Sequence, residues 1–128
     1  MKKFFVLMIA GLLVSAVLAG CGNKADDDTA KNYSEMAEQI VQFINNKEYD
    51  KITEQFDTNM KANLPAEQLA QIEPVIAQSG DFEKIEKQTV EEKDGMKIVV
   101  LVAQYSEEKR IFTLTYDSED KIAGLFIK

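Results

Sequence analysis

The sequence predicts one α+β domain, with two to three helices packed on a four-stranded antiparallel meander. Three observations carry this. The first half of the chain has its apolar residues at helical spacing, and the second half has them in alternation. Turn signals divide the second half into hairpins, and helices first with strands second is an α+β order. A length of 128 residues allows a single small domain.

The N-terminal residues 1–20 do not belong to that fold. Lys2 and Lys3 precede an apolar run from Phe4 to Leu18, broken only by Gly11 and Ser15. Those 15 residues would span roughly 22 Å as a helix, against ~30 Å for a hydrocarbon core. A signal peptide fits better than a permanent span. Leu18-Ala19-Gly20-Cys21 follows and resembles the lipobox of bacterial lipoproteins. The resemblance implies diacylglyceryl transfer to the Cys21 sulfur and cleavage between Gly20 and Cys21. Cys21 is the only cysteine, so thioether formation would also consume the one free thiol of an exported chain. A diacyl anchor holds stably where a single chain binds marginally. Palmitate-type lipidation, a cell-membrane location and an extracytoplasmic domain are the implied expectations.

Loss of residues 1–20 removes two lysines and no acid, leaving 13 bases, 22 acids and a net charge of −9. Anionic lipid would repel such a body, so the lipid on Cys21 would do the anchoring. A pI near 4.6 also argues against nucleic acid as a partner. With no His and one Cys, no Ser-His-Asp or Cys-His arrangement and no His/Cys zinc site can form. No cofactor is implied.

Residues 21–31 read as the lipidated Cys and a flexible acidic tether. Asp26, Asp27 and Asp28 lack the Gly turn and distal Glu of a calcium loop. They read as a solvated spacer, with Thr29 capping the next helix. The domain proper is placed at 32–128. Tyr33, Met36, Ala37, Ile40, Phe43 and Ile44 form one helical stripe. Tyr49, Ile52 and Phe56 mark a second, short helix. Leu64-Pro65 starts a third, buried through Leu69, Ile72, Val75 and Ile76, interrupted at Pro74 and ended by Gly80. Asp57 reads as a cap for the turn that follows it.

Residues 82–92 form the first strand, whose many charges mark it as an edge. Asp94-Gly95 is a hairpin turn in which both residues need positive φ. Met96–Tyr105, Arg110–Tyr116 and Lys121–Ile127 are the remaining strands, joined at Ser106–Lys109 and Asp117–Asp120. Alternation assigns two faces. Val99, Leu101, Ala103, Tyr105, Phe112, Leu114, Tyr116, Leu125 and Ile127 share the face given to the helices. Ile98, Val100, Val102, Gln104, Ile111, Thr113, Thr115, Ile122, Gly124 and Phe126 share the other. That second face is too apolar to be wholly wet, and a partner, a second copy or the helix termini would cover it.

A further resemblance covers about residues 33–128. It is carried by Asn46-Lys47-Glu48-Tyr49-Asp50-Lys51-Ile52, Phe56-Asp57, Leu64-Pro65, Gly80-Asp81-Phe82, Tyr116-Asp117 and Lys121-Ile122-Ala123-Gly124-Leu125. These resemble a small uncharacterised family common among lipoproteins of Gram-positive bacteria. That family is placed in the nuclear-transport-factor-2-like superfamily, whose sheet curves round its helices into a cone. The family usually has Gly where Asp120 stands, and Asp tolerates the left-handed conformation that this turn needs. The resemblance implies a fold and names no activity.

Two functions are compatible with this reading. The first is a non-catalytic binding or interaction module, using the cone mouth near Tyr49, Phe56, Tyr105, Phe112 and Tyr116 or the face of Ile98, Val100, Val102, Ile111, Ile122 and Phe126. A homodimer or an envelope protein would be its partner. The alternative is a small-molecule enzyme of isomerase or dehydratase type, built on Tyr49, Asp57, Tyr105 and Tyr116. No motif fixes a catalytic or metal-binding geometry. Glu91-Glu92, Glu107-Glu108 and Glu119-Asp120 sit at hairpin ends as solvated charges. Met36, Met60 and Met96 read as core fillers. A cavity of at least ~300 Å³ between sheet and helices would favour a ligand site.

Overall fold

The alternating second half builds the sheet, and the helical first half covers one side of it. The structure, a computed structural model, describes residues 23–128. The lipobox and its Gly20 and Cys21 lie outside the described residues. The chain opens with β1 (Asn23–Lys24) and α1 (Asp27–Asn45). Four short helices follow: α2 (Tyr49–Thr53), α3 (Thr58–Asn63), α4 (Ala66–Leu69) and, after a 3-10 turn at Ala70–Ile72, α5 (Glu73–Gln78). Then come β2 (Phe82–Lys93), β3 (Met96–Tyr105), β4 (Lys109–Tyr116) and β5 (Ile122–Ile127). The strands lie in sequence order, each antiparallel to the next.

The expected meander is therefore present, with a two-residue strand added. Asn23 pairs with Glu92 and Lys24 with Glu91, and Ala25 N–H donates to Val90 O at 3.1 Å. Much of what reads as a tether is thus sheet and helix. The charges of the segment hide this, because two residues of strand carry no alternation to detect. Asp26, not Thr29, caps α1: its carboxylate accepts from the Thr29 N–H at 2.7 Å. Asp27 and Asp28 then lie in the first turn, where the helix dipole favours negative charge.

Asp57 caps α3 as expected, accepting from Met60 N–H at 2.8 Å. Pro74 stands in the first turn of α5, so the helix restarts there instead of running through. Val75 departs from the expected buried side and is exposed. Gly80 ends the helical half with φ +88°. Asp94 and Gly95 both have positive φ (53° and 79°), as their hairpin requires. Asp120 does too, at 62°.

One face of the sheet packs on α1, mainly through β2 and β3. Val99, Leu101, Ala103, Tyr105, Phe112, Leu114 and Tyr116 are buried there against Ala37, Ile40, Val41 and Ile44. Leu125 and Ile127 pack beside them. The assignment of Ile122 to the other face is corrected. The register slips between Thr115 and Tyr116, so Thr115 faces Gly124 while Tyr116 faces Ile122. That bulge turns Ile122 inward, where it is fully buried. It also bridges Phe56: Asp57 N–H donates to Ile122 O at 2.9 Å and Ile122 N–H to Gln55 O at 2.8 Å. Met96, placed in the core by its composition, is exposed at the hairpin.

Candidate functional site

The residues expected at a pocket separate into two groups. Tyr49 and Tyr105 line a partly open cleft of about 190 Å³. Phe56, Phe112 and Tyr116 are buried inside the core, where they fill the space between helices and sheet. Larger hollows of about 470 Å³ and 310 Å³ exist. They are shallow depressions, one on the outer side of α1 near Met36 and one beside Thr53 and Pro65.

The cleft sits where α1 ends, α5 ends, β2 begins and β3 finishes. Ile44 and Asn45 come from α1, Ile76 and Ala77 from α5, Phe82 from β2 and Tyr105 from β3. Two backbone devices shape its rim. Lys47 takes φ +61°, Lys47 N–H bonds Ile44 O at 3.1 Å and Glu48 N–H bonds Phe43 O at 2.8 Å. This is the Schellman closure of a helix, with Lys where Gly is usual. Gly80 provides the opposite wall, and a Cβ there would lie 2.0 Å from Ser106 Oγ.

At the base of the cleft, the Tyr105 hydroxyl donates to Asn45 Oδ1 at 2.5 Å. Burial pushes this phenol up to about 12. The Asn45 Nδ2 donor is buried and has no hydrogen-bond partner among the described residues. At the mouth, Lys47 and Glu73 pair at 2.9 Å. This hydrogen-bonded pair holds the Lys47 ammonium above its ordinary value. Burial, then the nearby Glu73 charge, raises the Tyr49 phenol. An amide donor, aromatic edges and a charge pair at the rim suit a small polar ligand with an acceptor atom. Sequence reasoning reached Tyr49 and Tyr105 but missed Asn45, Lys47, Glu73 and Phe82. The available signal was the helix end at Asn46-Lys47, which does not by itself mark a cleft.

The other candidate site is the uncovered sheet face. Strand register lines up Thr89, Val100, Thr113 and Phe126 across four strands, with Val102 beside Ile111. Phe126 is 70% exposed and Ile111 38%. Ile98, Val100 and Val102 are half-buried. Five of the six residues expected on this face are therefore there, and Ile122 is not. Among the described residues, no group of three or more Cys, Asp or Glu is placed to hold a metal ion. Among them, too, no helix is long and apolar enough to cross a membrane.

A family model described as a protein of unknown function, DUF3887, matches residues 37–125. That span runs from the middle of α1 into β5 and includes both the cleft and the uncovered face. No curated protein and no solved structure matches the chain.

Proposed function

The chain belongs to the DUF3887 family of proteins of unknown function, and from that premise we propose a membrane-anchored extracytoplasmic lipoprotein whose domain is a non-catalytic protein-interaction module. The lipobox Leu18-Ala19-Gly20-Cys21 supports the anchor. The observation that carries the interaction reading is the apolar band on the uncovered sheet face, centred on Phe126 and Ile111. Contiguous exposed apolar surface is costly in water and is kept where a partner covers it. A second copy of the chain or another envelope protein would do so, aligned by the polar Lys87, Glu91 and Gln104 that border the band. A cone of the nuclear-transport-factor-2-like kind is the finer fold reading. Register slips in β2 at Phe82/Lys84 and Ile85/Lys87 support it, because bulges bend a strand round its helices.

The unpaired Asn45 amide favours a second reading, a small-molecule enzyme working in the cleft. The carboxylates that line the cleft are Glu73, held by Lys47, and Asp81 on the exposed rim.

Two measurements test the proposal. Cys21→Ser is expected to move the protein from the membrane fraction to the medium, and retention at the membrane would contradict the anchor. Light scattering of residues 22–128, with crosslinking of the lipidated protein in cells, is expected to show self-association or one defined envelope partner. A monomer with no crosslinked partner would remove the interaction reading.

A further inference from the structure

The anchoring reading gains a direction from where the chain enters the fold. Cys21 precedes Asn23 by two residues, and Asn23 is already paired with Glu92 in the sheet. Two residues of extended chain reach at most about 7 Å. The lipid-bearing sulfur therefore has almost no tether. Resting on the anchoring proposed above, we infer that Cys21 seats the domain directly on a phospholipid surface by the end that carries β1, the Asp94–Gly95 turn and the start of α1. The cleft of Asn45 and Tyr105 then faces away from the membrane.

The elements define the two ends. α1 starts at Asp27, beside β1, and finishes at Asn45 in the cleft. Its 19 residues span about 28 Å. β3 leaves the Asp94–Gly95 turn at Met96 and reaches Tyr105 in the cleft. Its 10 residues span roughly 30 Å. The β4–β5 turn lies at the membrane end as well, because Tyr116 pairs with Lys97 at the start of β3. This end is acidic on balance. Lys24, Lys93 and Lys97 stand among Glu91, Glu92 and Asp94, with Lys97 paired to Glu92 at 3.4 Å, while three more aspartates open α1 and the β4–β5 turn adds three acids against Lys121. No basic patch draws it to anionic lipid. Seating is imposed by the short connection, so a zwitterionic surface suffices.

The test uses the full lipidated chain in phosphatidylcholine vesicles that carry a headgroup nitroxide. Because Cys21 is the only natural cysteine and its sulfur is blocked by lipid, single fluorophores can be attached through Lys93→Cys and Glu107→Cys. Both sites are exposed, one at each end of the molecule. Quenching at position 93 is expected to exceed that at position 107 severalfold. A ten-residue Gly/Ser insertion between Gly22 and Asn23, adding about 18 Å of reach, is expected to abolish most of the difference. Equal quenching at both positions, stronger quenching at 107, or no effect of the insertion would overturn the inference. Ser118→Cys and Glu83→Cys give a second near and far pair if either first variant misfolds. Failure of the anchor itself gives a different result: the chain does not float with the vesicles and mass spectrometry finds a free Cys21 thiol, which removes both readings.

Discussion

Gly80 shows how one residue holds two halves of the molecule together. It sits at φ +88°, and its missing side chain leaves room for Ser106 Oγ, which accepts a hydrogen bond from Asp81 N–H at 2.9 Å. Gly80→Ala forces a left-handed alanine into that contact. Strain and the displaced hydrogen bond together are expected to lower unfolding stability by about 2–3 kcal/mol, read from the urea midpoint. The tyrosines set a limit at high pH. Burial, and then its hydrogen bond to Asp120, pushes the Tyr33 phenol up to about 12 from an ordinary 10. Burial does the same to Tyr105 and raises Tyr116 further. Each folded-state value is raised, so the neutral phenol is the form that the fold favours. That stability is fully present below pH 10 and is lost as pH climbs toward 12, because the unfolded chain releases its protons first. The denaturation midpoint of the wild type is expected to fall over that window, and to fall less steeply in Tyr33→Phe. Equal slopes would show that the Tyr33–Asp120 bond does not matter to stability.

At the scale of elements, the bulge in the β4–β5 pair decides which residues belong to the core. Without it, Ile122 would lie with Phe126 and Gly124; with it, Ile122 closes the core against Phe56 and Tyr116. Ile122→Ala is expected to cost about 2–5 kcal/mol, the range for an emptied core site. Ile98→Ala, on the uncovered face, is expected to cost less than about 1 kcal/mol, since little of its contact would be lost. Similar losses from the two variants would mean that the bulge is absent in solution. The same contrast explains how much of the fold can be read from the chain. Asp94-Gly95, Pro74 and Asp57 act through their own backbone preferences, so their turn, restart and cap are visible locally. The strand faces follow from alternation everywhere but at Ile122. There one extra residue in β5 reverses the alternation, and no residue type announces it. β1 is too short to show a pattern. The cleft is hidden for another reason: Asn45, Glu73 and Phe82 come together only once α1, α5 and β2 have packed, and Lys47 occupies a position where the sequence rules look for Gly.

For the whole molecule, the question is why an acidic domain leaves an apolar band uncovered. The helices bury the centre of one sheet face, from Val99 to Tyr105 and Phe112 to Tyr116, while the other face presents Ile111 and Phe126 to solvent amid half-buried valines. The body would be soluble through its charge, with 22 acids against 15 bases over the whole chain. That repulsion opposes non-specific association, so an interface on the band must be specific in shape to overcome it. Phe126 is the test residue because it contributes little to its own fold while dominating the exposed surface. Phe126→Ser is expected to leave the unfolding midpoint within about 0.5 kcal/mol of wild type. It is also expected to weaken association of residues 22–128 by at least about tenfold, as the loss of a buried aromatic anchor does at an interface. Sedimentation velocity across a concentration series reads the second effect directly. A variant that associates as tightly as wild type would place the contact elsewhere and leave the band without a role. One that unfolds early would show that Phe126 serves the fold instead.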